Sequence, residues 1–142
     1  LRFSEIYYPK ILQDSFVISL TKLSPNEETE LNTSLSNMLG AFPAPNYSGF
    51  FSSKKNKIRK WPIKFSIHDI IQCKVPEFAI VDASEQNTIL AGLPLEIDKQ
   101  SAKLLGVDWK SISHLKLLDD SLSEIEQATS SKSEENEIPR TQ

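Results

Sequence analysis

The sequence has few of the residues that mark several common protein classes. Its 142 residues include one cysteine and four glycines. A disulfide-stapled secreted miniprotein needs paired cysteines, and a collagen-like chain needs far more glycine. No apolar run approaches the roughly 18 to 20 residues that cross a bilayer, and no apolar segment follows an N-terminal basic stretch as in a secretory signal. We therefore expect an intracellular globular protein that does not associate with a membrane.

Cofactor and metal motifs are also missing. The four glycines are too scattered for either glycine-rich phosphate-binding fingerprint, so we expect no nucleotide cofactor and no evident small-molecule substrate. The candidate nitrogen and sulfur ligands are His68, Cys73 and His114, and their spacing matches no recognisable zinc pattern. We predict no metal site and interpret Cys73 as a small buried hydrophobic residue.

Acidic charge is concentrated near the C-terminus. Residues 1–117 contain 14 Lys and Arg against 12 Asp and Glu, whereas residues 118–142 contain 2 against 7. The C-terminal segment also has few apolar residues, so it cannot bury enough surface to offset the entropy of ordering. The sequence predicts one domain over residues 1–117 and a largely disordered acidic tail over residues 118–142.

The N-terminal half of the domain shows a strand pattern and then a helix pattern. β-branched and aromatic residues over 15–23 predict a strand. Ser24 and Glu27 match a capping box, and Pro25 suits the first helical position. Apolar residues then recur at helical spacing, and Gly40 suits a left-handed C-terminal position. This pattern predicts a helix over Pro25–Leu39.

The C-terminal half predicts a hairpin and two short helices. Residues 62–67 alternate in the strand manner, and the apolar runs 78–82 and 88–91 predict a hairpin with a loop of about five residues. Asp98 can cap a helix that ends at Gly106, and Asp108 can cap another through residue 117. The predicted fold is α+β, a small sheet of three to four strands with a capped helix after the first strand and two short C-terminal helices.

A long basic segment over residues 41–61 is the first feature that suggests a function. Long loops in compact domains are usually functional or disordered. Basic residues can neutralise phosphates, and neighbouring aromatic rings can stack on unpaired bases, so we predict contact with RNA. The alternatives are a nuclear-localisation patch, a solvated loop, or aromatic residues that anchor the core. The predicted binding residues are Lys54, Lys55, Lys57, Arg59, Lys60, Phe50, Phe51 and Trp61.

The segment 98–117 resembles the helix-turn-helix pattern of DNA-binding proteins. Ala102 stands where the first helix packs closely, Gly106 stands in the turn, and apolar residues follow at helical spacing. The resemblance implies that the second helix enters the major groove. The same residues also describe two short helices that meet at a glycine corner. The implied DNA-facing residues include Trp109, Lys110, Ser113 and His114.

No catalytic motif is apparent. His68 and Asp69 are adjacent, and adjacent side chains diverge by about 100° on a helix, so we do not expect them to form a base and its orienting group. No nucleophile elbow is present. An enzyme would need a site assembled around His68 from residues distant in sequence, and we predict no catalytic residues.

Together these patterns predict a non-catalytic interaction subunit of a larger assembly. Its partners are other protein subunits, and the basic loop meets RNA or an acidic partner, as in a ribonucleoprotein or ribosomal-type subunit. The first alternative is a DNA-binding protein, and the second is an enzyme with a site near His68.

Overall fold

The computed structural model describes residues 6–41 and 62–134, with side chains described as far as Ile125. The helices are α1 (Lys10–Gln13), α2 (Ser34–Asn37), α3 (Ile63–Cys73), α4 (Pro94–Leu104) and α5 (Ser113–Glu134). The strands are β1 (Ile18–Lys22), β2 (Ser24–Asn26), β3 (Glu30–Asn32), β4 (Phe78–Ala83) and β5 (Thr88–Gly92). Short 3-10 helices span Met38–Ala41, Ser84–Gln86 and Trp109–Ser111. The predicted α+β fold class is confirmed.

The main sheet has three strands in the order β1-β4-β5. Strand β1 runs parallel to β4, with Ile18 opposite Phe78. Strands β4 and β5 are antiparallel, with Val81 opposite Leu90, so the predicted hairpin is confirmed. Its loop forms a 3-10 turn that ends at Asn87, where φ is 54°. Asparagine tolerates this left-handed conformation better than most residues.

One face of the sheet packs against the helices. Ala79, Val81 and Ala83 of β4 are buried, while the residues between them are partly exposed. Helices α2 and α4 contact this inner face, and α3 packs against α5. The apolar side chains between these elements form one core. Its largest fully buried apolar residues are Leu31, Leu35, Ile67, Ile70, Leu115 and Val81.

The predicted helix over Pro25–Leu39 is wrong in its first half. Strands β2 and β3 form an antiparallel hairpin there, with Pro25 opposite Leu31. The Asn26 side-chain oxygen accepts hydrogen bonds from the backbone N–H groups of Glu28 (2.8 Å) and Thr29 (2.9 Å). This local turn competes with helix formation because it occupies the donors that the helix would use.

Helix α2 begins after Thr33 instead of at Pro25. The Thr33 backbone N–H donates to the Ser36 hydroxyl at 2.9 Å, which is one half of a capping box. The pattern at residues 33–36 is less conspicuous in the sequence than the Ser24-to-Glu27 pattern. Thr33 becomes the N-cap because strand β3 of the hairpin extends to Asn32, so a helix can begin only after that residue.

The predicted strand over residues 62–67 is also wrong, because α3 covers this segment. Alternation of Ile63, Phe65 and Ile67 suggests a strand over six residues. Over eleven residues the apolar positions recur at helical spacing, and Ile67, Ile70 and Ile71 are buried together. The longer window therefore identifies the correct period.

The C-terminal helices differ from the prediction in their bounds. Helix α4 begins at Pro94, and Gly106 follows it with φ of 71°, in the left-handed conformation that favours glycine. Asp108 caps the 3-10 turn, where its carboxylate accepts from the Lys110 N–H at 3.0 Å. Helix α5 then runs from Ser113 to Glu134, past the predicted end at residue 117, and Leu118 is buried.

Asp98 links two helices inside the core. It lies within α4, and its fully buried carboxylate accepts hydrogen bonds from the Ser34 hydroxyl (2.6 Å), the Ser34 N–H (3.0 Å) and the Leu35 N–H (2.9 Å). Burial raises the pKa of Asp98 to about 6, although these hydrogen bonds oppose the increase. Asp98 therefore caps α2 from a neighbouring element and does not cap its own helix.

No helix in the described part of the chain combines the length and apolar character that a bilayer span requires.

Candidate functional site

The predicted RNA-binding set lies outside the described residues. It consists of Lys54, Lys55, Lys57, Arg59, Lys60, Phe50, Phe51 and Trp61. Helix α3 begins two residues after Trp61, so the first turn of α3 is the described element closest in sequence to the basic run.

Three lysines line one cavity beside the first turn of α3. Lys64 belongs to α3, Lys110 to the 3-10 turn and Lys116 to α5, and together they border a cavity of about 330 Å³. We call this the lysine cavity. The other residues that line it are Phe65, Ser111, Ser113, Leu117 and Asp120. Because the three lysines come from three elements, the tertiary fold determines their proximity.

The lysine cavity carries net positive charge. Its lining contains three lysines and one carboxylate, Asp120, which forms an ion pair with Lys116. Lys64 lies 5.3 Å from the centroid of the Phe65 ring, and Lys110 lies 5.7 Å from that of Trp109. Lys110 and Lys116 are exposed, so their ammonium groups can reach an anionic ligand.

The DNA-facing residues implied by the helix-turn-helix resemblance do not share one surface. Lys110 is exposed, Trp109 is half-buried against the core, and His114 is buried. The Ser113 hydroxyl donates to Glu30 at 2.8 Å, and its backbone N–H donates to the same carboxylate. A buried His114 cannot contact a base edge.

The connection between α4 and α5 also differs from a helix-turn-helix. Residues 105–112 separate the two helices and include the 3-10 turn. A DNA-binding helix-turn-helix joins its helices by a turn of about three to four residues. The segment predicted as the start of the recognition helix is therefore a connecting turn.

His114 is held in its neutral form. Burial lowers the pKa of His114 to about 4, although Glu30 and the backbone of Thr29 act in the opposite direction. Its Nε2 atom has no hydrogen-bond partner. This neutral imidazole packs in the core and contributes no positive charge to the lysine cavity.

His68 connects two polar side chains. Its Nδ1 atom lies 3.0 Å from Asp69 Oδ1, and its Nε2 atom lies 2.9 Å from Ser121 Oγ. The sequence prediction that these two residues do not form a base and its orienting group rests on their divergence of about 100° along a helix, yet their short side chains turn towards each other across that angle. Sequence analysis did not identify Ser121, which is 53 positions from His68 and carries no local motif.

The polarity of the hydrogen bond between His68 and Ser121 decides what this chain of three residues can do. The Ser121 hydroxyl donates to the Leu117 carbonyl at 2.9 Å, one turn earlier in α5. If the hydroxyl donates to Leu117, its oxygen can accept from His68 only when Nε2 carries a proton, whereas a neutral His68 whose Nδ1–H donates to Asp69 presents Nε2 as an acceptor. A nucleophilic serine needs the second polarity, in which its hydroxyl donates to a neutral imidazole.

The chain shows no similarity to known proteins that would suggest its function. No protein-family model, curated protein or solved structure matches the chain.

The structure places Cys73 at the surface. Cys73 is exposed, so its interpretation as a buried hydrophobic residue is wrong. It is the last residue of α3 and lies beyond the turn that packs into the core. Within the described ranges, no three side chains of His, Cys, Asp or Glu cluster as a metal site would require.

Sequence analysis did not identify Lys64 as a site residue, although the sequence contains a signal for it. Lys64 follows Lys60 by four positions and extends the basic run into the first turn of α3. Its partners Lys110 and Lys116 are more than forty positions away, so their convergence depends on the packing of α3 against α5.

Proposed function

We propose that this chain is a non-catalytic interaction subunit of a larger assembly and that it contacts RNA. The observation that carries the proposal is the convergence of Lys64, Lys110 and Lys116 on the lysine cavity. The basic run over residues 54–60 precedes this cavity in sequence. The described lysines would extend the phosphate-binding surface that the sequence predicts.

The chemistry of the lysine cavity suits a phosphate backbone better than a base edge. Lysine ammonium groups bind phosphates as point charges, and the Ser111 hydroxyl adds polar contact to the cavity. The sequence supplies the aromatic rings for stacking on unpaired bases, which are accessible in single-stranded RNA. These features support single-stranded RNA as the nucleic-acid partner.

Charge reversal at the lysine cavity tests this proposal. We expect the triple variant Lys64→Glu, Lys110→Glu, Lys116→Glu to bind a fluorescent single-stranded RNA about 100-fold more weakly by anisotropy. The wild-type slope of log K against log salt should also become shallower by about 2, at about 0.7 per neutralised phosphate on a single strand.

A matched control reverses two exposed lysines away from the cavity. The variant Lys10→Glu, Lys103→Glu changes net charge in the same direction and should weaken binding less than threefold, on the order of a nonspecific charge effect. Equal losses in the two variants, or unchanged affinity in the triple variant, would contradict the proposed site. A second variant that reverses only residues 54–60 should also lose RNA affinity.

The contacts of His68 favour one second candidate function, which is hydrolysis of an ester. In this alternative the Ser121 hydroxyl turns from Leu117 towards His68. Its oxygen attacks the ester carbonyl, its proton passes through His68 to the departing alcohol, and water then hydrolyses the acyl-serine. Asp69 would orient His68.

Covalent labelling distinguishes this candidate. A fluorophosphonate probe, which modifies activated serines, should label the wild-type chain and not Ser121→Ala if Ser121 is a nucleophile. Ser123→Ala is the matched control, because Ser123 also donates to a carbonyl one turn earlier, that of Asp119. We expect no labelling of either serine, and selective labelling of Ser121 would replace the non-catalytic proposal with an enzymatic one.

A further inference from the structure

The face of the sheet opposite the helices is mostly apolar, and none of the described elements packs on it. We call this the outer face, and its apolar strand residues are Ile18, Leu20, Phe78, Ile80, Ile89 and Ala91. Phe16 and Leu93 adjoin the strand ends, and the oppositely charged Lys22 and Asp82 occupy the row beside Ile89. The exposed fractions are 70% for Phe16, 67% for Leu20, 69% for Ile89 and 68% for Leu93. At these exposures no described element covers the outer face.

Strand alternation produces the outer face. Side chains two positions apart lie on the same side of a strand, so Ile18 and Leu20 share one side of β1 while the buried Ser19 faces the helices. The strand register then aligns the three strands. Leu20 lies opposite Ile80 of β4, and Ile80 lies opposite Ala91 of β5. The outer face is therefore one continuous surface centred on Ile80.

The outer face is larger than the apolar patches of most monomers. At about 200 Å² for a fully exposed large apolar residue, its five most exposed side chains offer roughly 650 Å². The largest patch on a typical soluble monomer covers about 300–600 Å². Two such faces packed together would bury on the order of 1,300 Å², within the range of specific protein interfaces.

The charged residues at the border of the outer face indicate which kind of partner it can bind. Lys22 at one end of β1 pairs with Glu85 at 3.0 Å, and it lies opposite Asp82 in the register. This border contains both signs and no cationic cluster, so it does not suit RNA or an anionic membrane. In a two-fold dimer Lys22 of one copy can lie against Asp82 or Glu85 of the other, so a second copy complements this border in charge.

We propose that the outer face binds a second copy of this chain in a two-fold symmetric dimer. The two three-stranded sheets pack face to face, about 10 Å apart, as in a β-sandwich. Each outer face then buries its apolar side chains against the same residues of the other copy. This inference is independent of the RNA proposal, because the lysine cavity lies on α3, α5 and the 3-10 turn and not on the sheet.

Sedimentation equilibrium of the full chain tests the dimer. We expect the wild-type chain to have a concentration-dependent mass that approaches twice its monomer mass at micromolar concentrations. The variant Leu20→Lys places a charge in the buried interface and should weaken dimerisation at least about tenfold. Ile89→Lys, on the opposite edge of the same face, should have the same effect.

A matched variant on another exposed apolar site is the control. Leu122 is 44% exposed on α5, away from the sheet, so Leu122→Lys should leave the dimer intact. All variants should retain the wild-type circular dichroism spectrum, because each residue is exposed. A wild-type monomer at all concentrations, or a dimer that Leu122→Lys dissociates and Leu20→Lys does not, would overturn the proposal.

A cross-link tests the arrangement directly. Because Ile80 is central on the outer face, the two-fold axis should bring its two copies together. In a Cys73→Ser background, a bis-maleimide with a spacer of about 10 Å, the distance between the packed sheets, should link Ile80→Cys into a dimer and leave Leu122→Cys unlinked. Failure of Ile80→Cys to cross-link in a sample shown to be dimeric would reject face-to-face packing.

Discussion

At the residue scale, two buried ionisable groups have opposite effects on stability. Burial raises the pKa of Asp98 to about 6 from an ordinary 3.8, and burial lowers the pKa of His114 to about 4 from an ordinary 6.5. Between pH 4 and pH 6, folded Asp98 keeps a proton that the unfolded chain has released. Folded His114 lacks a proton that the unfolded chain holds. Their contributions therefore have opposite signs over nearly the same pH range.

Single substitutions should separate the two contributions. With His114→Phe, Asp98 remains, and its contribution to the free energy of unfolding should fall by about 3 kcal/mol between pH 4 and pH 6, at about 1.4 kcal/mol per pKa unit. With Asp98→Asn, His114 remains, and its contribution should raise that free energy by about 3 kcal/mol between pH 4 and pH 6.5. Urea unfolding at several pH values measures both slopes.

The wild-type chain serves as the reference for these slopes. Its free energy of unfolding should change less with pH in this range than that of either variant, because the two contributions largely cancel. Equal slopes in all three chains would show that neither side chain is buried in the described environment.

Residue-scale predictions from sequence succeeded only where the partners are close along the chain. The helix-ending role of Gly106 was recognisable because its neighbours determine it. The role of Asp98 was not, since it caps α2 from more than sixty positions away. The contact of His68 with Ser121 was missed for the same reason, since 53 positions separate the two residues. Such pairings follow from tertiary packing and have no local pattern.

At the element scale, the hairpin of β2 and β3 is the main departure from the local sequence pattern. Glu30 adopts a left-handed conformation with φ of 65°, which is unfavourable for a residue other than glycine. Its carboxylate accepts hydrogen bonds from Ser113 at the beginning of α5. The hairpin thus connects the N-terminal half of the fold to the last helix, which compensates for the strained backbone.

Asn26→Ala distinguishes the hairpin from the helix that the sequence suggests. In the hairpin this change removes an acceptor for the Glu28 and Thr29 N–H groups and should cost about 1 kcal/mol. In a helix, alanine would stabilise the chain, because it is the better helix former. Thermal unfolding would therefore show a lower Tm for Asn26→Ala, and an increased Tm would favour the helix.

The elements that sequence analysis predicted correctly share a simple feature. Strands β1, β4 and β5 lie in segments rich in β-branched and other apolar residues and are followed by polar or turn residues, so pattern and structure agree. Segments 25–33 and 62–67 each match two patterns over a short window. In segment 25–33 the turn at Asn26 favours a hairpin over a helix. In segment 62–67 the burial of three isoleucines on one side of α3 favours a helix over a strand.

At the scale of the whole molecule, the two proposed surfaces lie on different elements. The lysine cavity lies among helices and the outer face lies on the sheet. A dimer formed through the outer face would carry two RNA sites. Sequence analysis indicated basic character near one site but not the outer face, because strand register decides which apolar residues remain uncovered.

Two linked sites should favour long RNA. We expect the wild-type dimer to bind a long single-stranded RNA more tightly than Leu20→Lys, by about 100-fold or more, through avidity. Both chains should bind a short oligonucleotide, which spans one site, equally well. Competition between the two RNA lengths measures this ratio. A ratio near one for long RNA would show that the sites do not act together.

The parallel pairing of β1 with β4 has a consequence during synthesis. About sixty residues separate the two strands, as the contact of Val17 with Glu77 shows. At about 5–20 residues per second, a ribosome takes on the order of 3 to 12 seconds to cover that distance. For that time the backbone N–H and C=O groups along β1 have no partner strand. The nascent chain should therefore be a substrate for ribosome-associated chaperones until β4 has left the exit tunnel.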